Sequence, residues 1–233
     1  MNFPYLSNRE IDTEAERLRL EALGPRAQSV PVDLEAVVYD YLCETEQLSI
    51  DDDADLPEEE GDEVLGKTLV RVGRILISRR LKATGDLGRY RFTLAHELGH
   101  WRLHRPHVLA AADQPALFPE MAGVDVITTL NRSIVGPRPP RHEIQANRFG
   151  ATLLIHPEAL RREFVARFGA SGASALLTHS GHLTLRERGR LVAGYVAGVT
   201  PSLASAFAVS IEAMAIALEA RGYLAYGPTL FTS

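Results

Sequence analysis

Residues 91–104 read RFTLAHELGHWRLH and place His96 and His100 four positions apart, with Glu97 directly after the first histidine. Apolar residues surround them at helical spacing, which predicts a helix. Residues four apart on a helix share a face, so both imidazoles can bind one metal ion. Glu97 lies one position further round, where its carboxylate reaches a water molecule at the metal and not the metal itself. This is the geometry of a general base in metal-assisted hydrolysis.

A third protein ligand must come from another part of the chain. The extended pattern HxxGxxH, which would supply a third histidine, is absent. His104 lies one helical turn, about 6 Å, beyond His100 and is therefore expected in a supporting or structural role. Residues 142–157 read HEIQANRFGATLLIHP, and Glu143 on this second predicted helix can complete a site of two histidines and one glutamate, with the fourth position left for water. His142 remains the alternative ligand.

The helix that carries Glu143 has a face suited to close packing. Glu143, Asn147 and Gly150 fall on this face at helical spacing. The small residues Ala146 and Gly150 would let the helix approach Gly99, and Asn147 would then hydrogen-bond a ligand histidine. The group that would stabilise an oxyanion is left open between three candidates, Tyr90, His104 and His142.

Periodicity along the rest of the chain predicts a mostly helical protein with a small sheet. The predicted helices cover residues 8–23, 32–42, 91–104, 142–155, 157–168, 183–199 and 201–221. Residues 67–78 alternate and are rich in β-branched side chains, which predicts one or two strands broken near Gly73. Nine acidic residues within 51–63 predict an extended, solvated loop, and six prolines within 105–141 predict a long, partly irregular excursion over the surface. The class is therefore α+β, with the small sheet beside the helix of residues 91–104.

Composition limits the classes of function. The chain has 233 residues, a net charge of −5 and one cysteine, Cys43. The acidic balance gives no field that attracts nucleic acid, and a lone cysteine excludes an internal disulfide framework and favours a reducing compartment. The first residues lack the pattern of a signal peptide, so a cytoplasmic protein is expected. Residues 191–211 are uncharged, but Pro201 and the serines and glycines among them predict a buried helix pair and no membrane partner.

The two motifs together resemble those of the ImmA/IrrE family of bacterial metallo-endopeptidases. RFTLAHELGHWRLH is similar to the family's run of an arginine, Phe-Thr, HELGH and a trailing histidine, and EIQANRFGATLLIHP is similar to its second motif. The resemblance implies a zincin-like fold with Glu97 as the catalytic glutamate. It also implies one Zn²⁺ per chain, with Mn²⁺ not excluded, bound by His96, His100 and Glu143.

The resemblance further implies a domain arrangement and a substrate. A zincin-like domain that includes the N-terminal helices would cover residues 1–170, and a helical region would cover 171–233. Family members typically cleave helix-turn-helix transcriptional repressors and so relieve repression during stress or mobile-element induction. A protein substrate of that class is therefore expected. The chain departs from the family pattern in three features, Gly150 in place of alanine, His156 in place of methionine, and the length of 105–141.

Two other functions are weighed against hydrolysis. Residues 202–224 resemble a helix-turn-helix, which would suit direct DNA binding, but the second helix offers only Arg221 as a cation beside Glu212 and Glu219. Phosphate and base contacts would therefore be poor. A metal-bound partner without turnover, such as an antitoxin-type protein that sequesters a regulator, needs no general base, so the presence of Glu97 disfavours it. The sequence carries no signal for an oligomeric state.

Overall fold

The computed structural model of the protein describes residues 3–59, 61–112, 126–130, 139–168, 175–177, 199–221 and 223–226. Its α-helices are α1 (Asn8–Leu23), α2 (Cys43–Glu46), α3 (Arg79–Ala83), α4 (Leu87–Gly99), α5 (Arg105–Ala112), α6 (Arg141–Leu154), α7 (Pro157–Phe168), α8 (Val199–Phe207) and α9 (Ile211–Ala220). Its strands are β1 (Ser49–Ala54), β2 (Val64–Leu69), β3 (Arg74–Ser78), β4 (Val126–Leu130), β5 (Ala175–Leu177) and β6 (Leu224–Tyr226). Helices predominate over a small four-stranded sheet, which confirms the expected α+β class.

Side-chain caps set where the helices begin. The hydroxyl oxygen of Ser7 accepts a hydrogen bond from the N–H of Glu10 at 3.3 Å, and the N–H of Ser7 donates to Glu10 Oε2 at 2.7 Å. This capping box, with Gly24 at φ 51° after the last turn, confirms the first predicted helix. The carboxylate of Asp86 accepts from the N–H of Arg89 at 2.9 Å, so α4 begins before its predicted start.

α4 and α5 are joined by a π-helical turn, His100–His104, without a break in the helical backbone. The N–H of Arg105 donates to the carbonyl of His100, five residues earlier, so this turn holds one residue more than an α-helical turn. A second π turn, Ala36–Leu42, lies within the helix predicted for 32–42 and leads into α2. Turns of this type are frequent at functional sites, and the first one begins at the second histidine of the motif.

The four strands of the sheet lie in the order β1, β3, β2, β4. β1 is parallel to β3, while β2 is antiparallel to both β3 and β4. The turn between β2 and β3 contains Gly73 at φ 65°, in the left-handed region that favours glycine. The predicted strands and their break near Gly73 are therefore confirmed. Val64, Gly66 and Thr68 alternate along the buried face of β2.

The acid-rich segment differs from its prediction at its start. β1 takes in the first three acidic residues, so the solvated loop predicted for 51–63 is wrong there. Nearby cations offset the repulsion between these carboxylates. Arg74 lies 2.7 Å from Asp51, and Lys82 lies 2.7 Å from Asp52. Carboxylates that are paired with cations are compatible with a strand, whereas an unpaired run would favour a solvated loop.

The proline-rich segment also differs from its prediction. α5 continues the helix of α4, and β4 pairs with β2. Val108 of α5 and Ile127 of β4 are buried in one apolar cluster with Phe3 and Val70, and this burial stabilises both elements. The predicted course over the surface is therefore wrong at these two buried positions, while a helix and a strand are compatible with a partly irregular segment. The remainder of the segment up to residue 138 lies outside the described residues.

The chain divides into two compact units. The first comprises Met1–Ala27 and Val32–Leu154, and the second comprises Gln28–Pro31 and Ile155–Ser233. Both motif helices, α4 and α6, and the four-stranded sheet belong to the first unit. The domain boundary predicted at residue 170 lies outside the described residues, as does nearly all of the helix predicted for 183–199.

Within the second unit, α8 and α9 form a bent helix pair. The two helices differ in direction by 109° across a short break, within the roughly 90–120° of helix-turn-helix pairs. The single helix predicted for 201–221 is therefore wrong at this break, whereas two helices agree with the resemblance of 202–224 to a helix-turn-helix. Among the described helices, no single one is long and apolar enough to cross a membrane; this pair meets those criteria only when its two bent members are taken together.

Candidate metal centre

Two helices of the first unit bring three ligating side chains together. His96 projects from α4 and His100 from the first residue of the π turn that follows it, and their Nε2 atoms are 2.9 Å apart. Glu143 of α6 places Oε2 3.3 Å from His96 Nε2 and Oε1 3.2 Å from His100 Nε2. Ligating atoms of the three residues lie within 4.8 Å of one another, and both histidines are buried. Bonds of 2.0–2.1 Å in a tetrahedral zinc site give a separation of about 3.3 Å between neighbouring ligand atoms, so these distances suit one ion.

Small residues allow α4 and α6 to approach closely enough for this convergence. A Cβ added at Gly99 would lie 3.0 Å from Ala146 Cα, and a Cβ added at Gly150 would lie 3.1 Å from the backbone nitrogen of His96. Both separations are tighter than ordinary van der Waals contact. The predicted close packing at Gly99, Ala146 and Gly150 is therefore confirmed, and it sets Glu143 opposite the two histidines.

Each ligating histidine is supported through its other ring nitrogen. His96 Nδ1 lies 2.9 Å from Asn147 Oδ1, the contact predicted from the spacing of α6. His100 Nδ1 lies 2.9 Å from His104 Nδ1, and His104 is fully buried. Such contacts fix the ring orientation of a ligand histidine and leave Nε2 directed at the metal. The structure therefore places His104 behind a ligand, in agreement with a supporting role.

Gln145 belongs to the same arrangement and was missed by reasoning from spacing. Its Oε1 lies 3.0 Å from His104 Nε2, and its Nε2 donates to the carbonyl of Pro4 at 3.0 Å. Gln145 is buried, although it follows Glu143 by only two positions on α6. The available signal was the second family motif, which has Glu or Gln at this position. Spacing alone does not indicate that a residue two positions after a ligand shares its surroundings.

The carboxylate of Glu97 is fully buried between α4 and β2. The hydroxyl of Thr68 donates to Glu97 Oε2 at 2.6 Å, whereas Oε1 has no hydrogen-bond partner among the described residues. Burial raises the pKa of Glu97 to about 7, although the charge of His96 and the hydrogen bond from Thr68 act in the opposite direction. A carboxyl group with this pKa can accept and release a proton near neutral pH.

β2 therefore contributes residues that the sequence motifs did not include. Gly66 lies so close to the general-base candidate that an added Cβ would be 2.9 Å from Glu97 Cδ. Gly66 and Thr68 are two positions apart and share one face of the strand. A glycine inside a strand often marks a close approach of another group, and this signal would have pointed to the pair.

The charges of the ligating residues depend on their shared burial. Burial alone would raise the pKa of Glu143, but its contacts with His100 and His96 outweigh this effect and hold the pKa well below its usual range. Burial lowers the pKa of His100 to about 3. Glu143 Oε1 is buried and makes no hydrogen bond of normal geometry within the described chain. Two imidazole nitrogens and a carboxylate are ligands that divalent cations bind, so these residues can hold a metal ion.

The other two oxyanion candidates lie in different surroundings. His142 Nε2 lies 3.4 Å from Glu143 Oε1, and its ring is 5.9 Å from that of His100, so His142 borders the metal centre. The hydroxyl of Tyr90 instead donates to Asp52 Oδ2 at 2.9 Å. Burial and this hydrogen bond raise the pKa of Tyr90. His142 therefore lies beside the candidate ligands, whereas the hydroxyl of Tyr90 is hydrogen-bonded to Asp52 of β1.

The metal centre is built from two motif helices and one strand of the first unit. The residues that could hold a metal ion are His96, His100 and Glu143, and the buried carboxylate beside them is that of Glu97. No protein-family model matches this chain, and no curated protein is significantly similar to it, so membership of the ImmA/IrrE family stays a prediction.

Proposed function

We propose that this protein is a cytoplasmic, zinc-dependent endopeptidase of the ImmA/IrrE type, with a zincin-like active site in its first unit. The convergence of His96, His100 and Glu143 beside the buried carboxylate of Glu97 carries the proposal. A structural metal site has no need of a second carboxylate that does not bind the metal. A hydrolytic site does, because a general base must take a proton from water.

His96, His100 and Glu143 would hold the ion through two imidazole nitrogens and one carboxylate. When bound, zinc supplies Lewis acidity, which lowers the pKa of a water ligand and polarises the carbonyl group of a peptide bond. Glu143, held between both histidines, supplies negative charge to the site. Asn147 orients the ring of His96 from behind. Three protein ligands leave one position for water and substrate, which is the arrangement of catalytic zinc sites.

Glu97 moves the proton in this reaction. Its Oε2 is occupied by the hydroxyl of Thr68, so Oε1 is the oxygen free to accept a proton from water. The protonated carboxyl group then donates this proton to the leaving amine. Gly66 provides the space that the carboxylate occupies. Thr68 is a positioning residue, because it holds the carboxylate without touching the reacting atoms.

The proposed substrate is a helix-turn-helix transcriptional repressor, whose cleavage would relieve repression in a stress or mobile-element response. The resemblance of both motifs to the ImmA/IrrE family supports this choice. The alternative is a metal-bound protein that sequesters a regulator without turnover. The two functions make opposite predictions for a variant that keeps the ligands and loses the general base.

Glu97→Gln is this variant, because glutamine matches glutamate in shape and cannot accept the proton. Both proteins would be purified without added metal or chelator and analysed for zinc and manganese. Each would then be incubated with a bacterial lysate, and new protein N-termini would be identified by mass spectrometry. We expect about one zinc per chain in both proteins. New N-termini inside helix-turn-helix repressors should form only with the wild type.

Two results would contradict the proposal. Equal zinc contents with no wild-type-specific N-termini would favour the non-catalytic partner. A wild-type protein that binds neither zinc nor manganese after reconstitution would show that the ligating set is misassigned.

A further inference from the structure

A chain of hydrogen bonds leads from the metal centre to the N-terminal segment. Its members are His100, His104, Gln145 and the carbonyl group of Pro4. Consecutive polar atoms are separated by 2.9, 3.0 and 3.0 Å. His100 and His104 are fully buried, and Gln145 is nearly so. Bulk water therefore cannot replace a missing partner within this chain.

The carbonyl of Pro4 sets the direction of every hydrogen bond in the chain. A carbonyl oxygen can only accept, so the side-chain NH₂ of Gln145 faces Pro4 and its Oε1 faces His104. Because Oε1 also accepts, His104 Nε2 carries a proton. The two nitrogens of His104 face only a neutral amide and another imidazole, so the buried ring is neutral and its Nδ1 is an acceptor.

The last bond of the chain determines the tautomer of His100. Since His104 Nδ1 accepts, His100 Nδ1 must donate, and the lone pair of His100 lies on Nε2. Glu143 Oε1 lies 3.2 Å from this Nε2, so two acceptor atoms face each other, as two ligands of one cation do. The carbonyl of Pro4, far along the sequence from the motif, thus favours the tautomer that binds a metal ion.

We propose that His104 is a positioning residue, which fixes the tautomer and ring orientation of His100 for metal binding and is itself oriented through Gln145 by the N-terminal segment. This inference rests on the metal centre of the proposed function. The ring of Phe3 lies 4.8 Å from that of His104, so the same segment also packs against the positioning residue. The N-terminal segment is therefore a structural part of the metal centre.

Two substitutions separate this role from simple space filling. His104→Phe keeps the volume of the ring but removes the acceptor. His104→Asn loses volume, but its Oδ1 lies near the place of Nδ1 and can accept from His100. Zinc affinity would be measured by competition with a chromophoric chelator, and His107→Phe, at an exposed position of α5, is the matched control.

We expect His104→Phe to bind zinc about 10- to 100-fold more weakly, with His104→Asn and His107→Phe close to wild type. A space-filling role gives the reverse order, because phenylalanine fills the site and asparagine leaves a gap. Near-normal affinity of His104→Phe with weaker binding by His104→Asn would therefore overturn the proposal.

A second measurement reads the hydrogen bond directly. In the zinc-loaded wild type with ¹⁵N-labelled histidine, a scalar coupling should connect the two Nδ1 atoms of His100 and His104 across their shared proton. Its absence with zinc bound would overturn the inference while leaving the proposed function intact. A wild type without zinc affinity would overturn both, and this outcome is distinguishable from the others.

Discussion

The acid-rich segment that begins in β1 and the two glutamates of the candidate metal centre, the fully buried Glu97 and the partly buried Glu143, present the same functional group in different surroundings. The carboxylates of the segment face cations near the surface, as Asp51 does with Arg74 at 2.7 Å. The two glutamates face imidazoles and a hydroxyl, and in the described parts of the chain neither is paired with Lys or Arg. A high density of carboxylates is therefore a poor guide to a metal site, whereas buried carboxylates without a cationic side chain indicate one.

The physical difference lies in solvation. A surface ion pair contributes about 0–1 kcal/mol, because water already stabilises both charges. Burial of a carboxylate removes this solvation and costs roughly several kcal/mol, unless a cation or strong hydrogen-bond donors take the place of the water. Substitutions of surface carboxylates and of buried carboxylates should therefore differ in the size of their effect and in the property that they change.

The largest effect is expected where the partly buried ligating carboxylate of Glu143 is removed. Glu143→Ala should weaken zinc binding by more than the roughly 10- to 100-fold that loss of a supporting hydrogen bond costs, because a direct ligand is lost. Chelator competition and elemental analysis would measure the change. Glu158→Ala, at an exposed position of α7, is the matched control. Unchanged zinc binding in Glu143→Ala would show that Glu143 matters no more for the metal than an exposed carboxylate does.

The next effect concerns the position of the second buried carboxylate. In Gly66→Ala the new methyl group would displace the carboxyl group of Glu97. We expect kcat to fall about 100-fold, as for a catalytic group misplaced by about 1 Å, while zinc content stays at the wild-type level. Turnover of the identified substrate and metal analysis of the same sample would test this. An unchanged kcat would mean that the position of this carboxylate is not critical.

A smaller effect is expected from the packing that brings the ligating residues together. The side chain introduced by Gly99→Val would meet Ala146 and Phe149, where even a Cβ lies 3.0 Å and 3.2 Å from their nearest carbon atoms. Overpacking of this kind should lower the free energy of unfolding by about 1–3 kcal/mol. Urea denaturation of the metal-free protein would measure it, with Ala110→Val at an exposed position of α5 as the control. Equal stabilities would show that α4 and α6 can separate at little cost.

The smallest effect is expected in the acid-rich segment itself. Asp51→Asn removes a half-exposed ion pair with Arg74 and should change the free energy of unfolding by less than about 1 kcal/mol. Zinc affinity should stay the same. Denaturation and chelator competition, run beside Glu143→Ala, would test both statements. A loss of zinc affinity in Asp51→Asn would show that the acid-rich segment also supports the metal centre.

Spacing along the sequence was sufficient for features that depend on neighbouring residues. The capping box of Ser7 and Glu10 identified the start of α1, and helical periodicity placed His96 and His100 on one face. The contact between Gly99 and α6 also followed from spacing, because small residues on two helices indicate close approach.

Features that depend on distant parts of the chain were not accessible in this way. Thr68 contacts Glu97 across 29 positions, and Gln145 contacts Pro4 across 141. Neither pair leaves a periodic signal. The acidic residues of β1 predicted a loop because their partner cations, which include Arg74, belong to other elements. Pairing between strands overrode the local preference there.

The π turn His100–His104 sets the rotation of α5 about the helix axis relative to α4. If the same residues were wound as a regular α-helix, all of α5 would turn by about 100° around that axis. Val108 would then leave its buried cluster with Phe3, Val70 and Ile127. The extra residue of the π turn thus sets how far α5 is rotated about the helix axis relative to α4. It lets the first half direct its imidazoles at a metal ion while the second half keeps its apolar side against the core.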